Sequence, residues 1–157
     1  MNDTEFFEPY NEYIDVRKQL KTNTTLSIQQ AKDLIDKVNR TISQVCIQIP
    51  TVGLALKGYL FADACIFMFK KNDTEEIKSY ALQSMDAFEW FKNLYQIHFK
   101  AELDALNSQC GTVVNYLKNA ESLKLTAISD MNQTLSIAIQ CCDCASTRTH
   151  SSSSKPR

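Results

Sequence analysis

The chain has 157 residues, enough for one domain, and 17 Lys and Arg against 18 Asp and Glu give it a formal net charge of −1. That balance excludes a strongly basic nucleic-acid binder, and 44% hydrophobic with 22% charged residues excludes an acidic chain without a core. With only 3 Gly and 3 Pro there is too little turn chemistry for a β-sandwich or barrel and no glycine-rich phosphate loop, so the composition predicts an all-α fold.

The first helix is expected over 8–21, with Pro9 at the first helical position. Phe6, Tyr10, Tyr13, Ile14 and Leu20 approximate one face, and Val16 falls off it. In the second, Ile28, Ala31, Ile35, Val38, Ile42, Val45 and Ile49 alternate spacings of three and four, the mark of a narrow packing seam. Ser27 and Gln30 make a capping box at its start and Pro50 ends it. The third, over 51–70, is apolar nearly all round and belongs in the centre of a bundle. Lys57 and Asp63 interrupt its apolar run, which argues for a core helix over a membrane span.

Lys70 and Lys71 then suit a helix end, and Asp73 with Glu76 has capping-box spacing. A fourth helix is expected over 74–107, carrying the stripe Ile77, Ala81, Ser84, Phe88, Phe91, Tyr95, His98, which continues through Leu103, Leu106, Cys110, Val113, Leu117 and Ala120. Gly111 marks a turn with a left-handed helix cap, and a fifth helix follows over 112–142, with weak points at 119–122 and 130–134. The resulting picture is an all-α bundle of about five helices, 1–144, built on a long antiparallel helical hairpin. The polar stretch 145–157 (ASTRTHSSSSKPR) reads as a disordered tail.

The first fifteen residues hold five acids and no base, unlike a secretory or mitochondrial leader. Of the 6 cysteines, Cys46, Cys65 and Cys110 sit singly on apolar faces as small buried hydrophobes. Five N-x-S/T sequons start at Asn2, Asn23, Asn39, Asn72 and Asn132, mostly where helices are expected to begin and where Asn serves as a cap. Without a leader, these observations favour a cytoplasmic protein.

Catalytic chemistry has few carriers. His98 continues an apolar stripe and reads as a core or boundary residue, and His150 lies in the tail. No Glu-x-x-His pair, H-E-x-x-H, phosphate loop or G-x-S-x-G is present, so no catalytic or cofactor-binding residue is assigned and the chain reads as a non-enzyme. The acids Glu75, Glu76, Asp86, Glu89, Glu102 and Asp104 read as solvated helix positions. Trp90 is an interface candidate if exposed, against the simpler expectation that it packs on helix one or three.

Cys141, Cys142 and Cys144 cluster where the last helix meets the tail. Three readings compete: free thiols, S-acylation sites that would tether the chain to a membrane, or with His150 a thiolate metal or redox site. Their spacing departs from a zinc knuckle.

The leading functional expectation is a non-enzymatic helical protein-interaction module, an adaptor or assembly subunit. In it, the hairpin arms would project and cover their seams with another chain or a second copy. It takes no nucleic acid and no cofactor, and acylation of Cys141, Cys142 and Cys144 would place it peripherally on a membrane. The alternatives are a secreted or host-directed effector carrying glycans on its sequons, and a small thiolate metal- or redox-active bundle.

Overall fold

A computed structural model describes the backbone through residue 154 and the side chains through residue 143. The Cys144 side chain and the tail expected over 145–157 fall outside what is described in full. Among the described residues every regular element is helical.

Helix α1 (Asp3–Thr22) begins five residues earlier than expected, because Asn2 is its cap. The Asn2 Oδ1 accepts the Glu5 N–H at 2.8 Å, and its amide donates back to the Glu5 carboxylate at 2.9 Å. Pro9 therefore lies inside the helix, where the N–H it lacks leaves the Glu5 carbonyl without its helical donor. Phe6, Tyr10, Tyr13, Val16 and Leu20 are buried and Ile14 is exposed, which reverses the expected places of Val16 and Ile14.

Helix α2 (Ile28–Val45) carries the expected Ser27–Gln30 capping box in both directions and buries Ala31, Ile35, Val38 and Ile42. A single 3₁₀ turn (Cys46–Gln48) leads to Pro50, the first residue of α3 (Pro50–Lys70).

Helix α3 is the hub, packed by α1, α2, α4 and α7. It has the length and mean hydropathy (1.6) of a membrane span, but 72% of that window is buried inside the bundle. The Tyr13 hydroxyl donates to the Leu56 carbonyl at 2.7 Å and Arg17 meets Asp63, so α1 and α3 run parallel. Helix α4 (Thr74–Leu94) returns antiparallel: the Ser84 hydroxyl donates to the Gly58 carbonyl at 2.6 Å and Tyr80 stacks on Phe61. This approach depends on Gly58, where a Cβ would lie 2.5 Å from the Phe88 ring.

The turn between α3 and α4 is made by Asn72, the one described non-glycine residue in the left-handed region (φ 59°). Asp73 caps α4 by accepting the Glu76 N–H at 3.2 Å. The fourth helical stretch continues past residue 94 as expected, but through a π turn (Tyr95–Phe99) into α5 (Lys100–Leu106). That turn adds a residue to the register. The inward stripe accordingly passes from Phe91 and Tyr95 to Phe99, Leu103 and Leu106, and His98 is solvent-exposed where a core or boundary residue was expected.

The expected fifth helix is two. Helix α6 (Gly111–Lys118) packs on α1, with the Tyr116 hydroxyl 3.1 Å from that of Tyr10. An extended Ala120 and a 3₁₀ turn (Glu121–Leu123) then redirect the chain into α7 (Leu125–Ser154), whose Cys142 and Asp143 reach Thr74 and Lys78 at the start of α4. Gly111 opens α6 without a positive φ, so it is not the left-handed cap expected of it. Leu103, Leu106, Cys110, Val113 and Leu117 are all buried within this chain, so the projecting hairpin arms are replaced by a closed bundle.

Candidate functional site

Three places on this scaffold hold polar or apolar groups in arrangements that invite a role. The most buried is the junction of α1 and α3. Asp63 is 3% exposed, and its Oδ2 accepts from Arg17 Nε at 2.6 Å, with Lys21 Nζ at 3.5 Å. The Arg17 guanidinium also lies over the rings of Tyr13 and Tyr59, at 5.5 and 5.0 Å from their centroids. Burial pushes the Tyr13 phenol well above its ordinary range, keeping it a neutral donor to Leu56. Every charge in this network has a partner inside the chain. It fixes how α1 sits on α3, and it offers no group free to react.

The second place is the outer face of α4 and its π turn. Trp90 is 54% exposed and Ile97 69%, with Leu94 half-buried between them. Trp90 therefore does not pack on α1 or α3, and the interface reading of it keeps its structural condition. The inner side of the same segment is an aromatic ladder in which Phe91, Tyr95 and Phe99 follow one another at centroid distances of 5.2 and 4.8 Å. Tyr95 and Phe99 are partly buried against the core on that side, so Trp90 and Ile97 stand on the opposite, solvent side of the segment.

The third is the far end of α3, where α7 arrives with the clustered cysteines. The structure separates them. Cys142 is buried, its Sγ 3.4 Å from the Thr74 carbonyl at the start of α4. Cys141, next in sequence, is exposed and lines an apolar groove with Ile66, Phe69, Thr134, Ile137 and Ala138. Burial pushes the Cys65 thiol up to about 11, the neighbouring Cys142 adding a smaller share, and burial pushes Cys46 up to about 12. Such thiols hold their protons at neutral pH and are poor nucleophiles. Among the described cysteines, Cys141 alone meets solvent. Among the described residues no cluster of three or more His, Cys, Asp or Glu is placed to hold a metal ion, and a set drawing on Cys144 and His150 falls outside the described side chains.

Two sequence readings change here. Glu102 is not a solvated acid: its Oε1 accepts the Thr51 N–H at 3.1 Å and closes the N-terminal end of α3. Its other oxygen and the Thr51 hydroxyl are both buried without a partner. The sequons also sit differently from expectation. Asn2 caps a helix start, but Asn23 ends α1, Asn72 lies in the α3–α4 turn, and Asn39 and Asn132 lie within α2 and α7. The Asn132 carbonyl oxygen is buried.

The exposed partners of the third site, Phe69 and Ile137, were not singled out by sequence. Phe69 ends an all-apolar helix and Ile137 sits on a helix whose seam is elsewhere, so only the docking of α7 on α3 brings them together. No family model, curated protein or solved structure matches this chain.

Proposed function

We propose that this chain is a non-enzymatic helical interaction module, and that the outer face of α4 is where a helix of another protein packs. The observation carrying this reading is the row of Trp90, Leu94 and Ile97, spaced four and three residues apart, in which Trp90 and Ile97 are exposed with Leu94 half-buried between them. A row at that spacing is the half of a helix–helix contact that a partner completes. Trp is also the residue most often found at the energetic centre of an interface. A cytoplasmic setting with a tether at Cys141 fits the same reading, since that thiol is exposed and borders apolar surface.

Trp90 is the only tryptophan, so its fluorescence reports the proposed contact directly. Emission should move to shorter wavelength when the purified protein meets its partner, and the Trp90→Ala, Ile97→Ala double variant should lose the proteins that co-purify with the native chain. A double variant that keeps them all at native stoichiometry overturns the reading. A concentration-dependent emission shift of the purified chain alone, matched by a dimer in sedimentation, would make the partner a second copy.

A further inference from the structure

The last turn of α3 separates two clefts of opposite chemistry. On one side Lys21, Lys70 and Lys71, with Asn23, Thr24 and the Phe67 ring, line a cleft of about 220 Å³. On the other lies the apolar groove of about 180 Å³ between α3 and α7, its rim formed by Phe69 (46% exposed) and Ile137 (54% exposed).

The charges at this end of the bundle are unevenly matched. Asp63 already serves Arg17, Asp73 caps α4, Glu76 pairs with Lys32 at 3.0 Å, and Asp143 pairs with Lys78 at 3.0 Å. Of the described acids near this end, Glu75 and, on the first half of α2, Asp33 and Asp36 are exposed without an ion-pair partner, and none of the three lines the lysine cleft or the apolar groove. Lys70 and Lys71 make no ion pair among the described residues, and Lys21 reaches Asp63 only at 3.5 Å behind Arg17. Lys21 and Lys70 also offset the negative ends of α1 and α3, but that role needs no cleft and does not account for two apolar side chains left in water beside them.

We infer that this end of the bundle docks on an anionic lipid surface, with Phe69 and Ile137 entering the acyl boundary and Lys21, Lys70 and Lys71 meeting headgroup phosphates. An apolar rim next to unpaired ammonium groups complements a surface that is negative at its plane and apolar just beneath it. Free phosphate matches only the lysine cleft and leaves the rim exposed. The residues after Cys144, ASTRTHSSSSKPR, contain no large apolar side chain to cover the groove, and their Arg148, Lys155 and Arg157 add positive charge to the segment leaving it. The inference concerns a surface distinct from the α4 face, and it requires no acylation: Cys141 stands where a tether would reinforce the docking.

The test uses the full chain, produced unacylated, in co-sedimentation with vesicles of phosphatidylcholine alone and with phosphatidylserine added. Binding is expected only to the serine-containing vesicles and should weaken as salt is raised. Replacing Lys70 and Lys71 together by Gln should lower it by roughly twenty-five-fold, at about fivefold per charge. Phe69→Ser with Ile137→Ser should abolish it while the helical circular dichroism is kept. Equal binding to neutral vesicles, or no binding to anionic ones at low salt, overturns the inference. So does competition by inorganic phosphate at matched ionic strength with the Phe69/Ile137 variant still active, which would leave an anion cleft only. Retention of a protein partner by this face without vesicle binding overturns it in favour of a protein surface.

Discussion

The two ends of α3 are finished in opposite ways. At its N-terminal end the backbone donor of Thr51 is taken by the Glu102 carboxylate from α5, and Ile49 and Val52 are fully buried. At its C-terminal end Phe69 keeps 46% of its surface in water beside a half-buried Ile66, and Lys70 and Lys71 have no ion-pair partner among the described residues. A protein concerned only with stability has little reason to close one end of its hub helix with a buried carboxylate and leave aromatic surface at the other. The difference is one of finish: a carboxylate from α5 caps one end, although Ile47 just before it is 74% exposed, while at the other Phe69 and two lysines face water.

The largest expected effect comes from between those ends. Asp63→Ala leaves the Arg17 guanidinium, 15% exposed, without its carboxylate in a buried setting, and should cost about 3–5 kcal/mol of unfolding free energy. A chemical denaturation midpoint measures it. A cost under about 1 kcal/mol would show that water reaches Arg17 and that the α1–α3 junction belongs with the open end. Next is Glu102→Ala at the closed end, which strands the buried Thr51 N–H and should cost about 1–3 kcal/mol. Glu102→Gln keeps an acceptor for that N–H and should recover most of the loss. If neither variant loses stability, the contrast between the two ends fails.

Much of the bundle is legible in the sequence because periodicity and capping act locally. The Ser27–Gln30 box, the period of α2, the all-round apolarity of α3 and the end of the fourth stretch near 106 follow from neighbours within a few residues. What is not legible arises where a distant contact or one inserted residue decides. Periodicity carried straight through 95–99 puts His98 inward, whereas the π turn shifts the register and brings Phe99 inward. The break at 119–124 lies at one of the weak points visible in sequence, but the docking of Tyr116 on Tyr10 and Phe7 that accompanies it spans more than a hundred residues. Glu102 looks like any surface acid until α5 lies on the start of α3. At the candidate site the sequence points to the cysteine cluster and Trp90. It gives no sign that adjacent Cys141 and Cys142 would be divided between solvent and core, because that depends on how α7 rotates against α3 and α4.

The smallest effect is the most informative for the open end. Phe69 and Ile137 each keep about half of their surface in water in the folded chain, 46% and 54%. Folding therefore gains only part of the hydrophobic free energy these side chains carry, because about half of each stays in water. Phe69→Ser and Ile137→Ser should each change the unfolding free energy by no more than about 0.5–1 kcal/mol, as surface substitutions do, against the larger costs expected at Asp63 and Glu102. Denaturation midpoints compared at unchanged slope would show this. A loss above about 2 kcal/mol would mean that the rim is part of the core and that α7 needs it to stay docked. Near-zero cost means these apolar groups stand in water without supporting the fold, as expected of a surface kept for contact with something outside the chain.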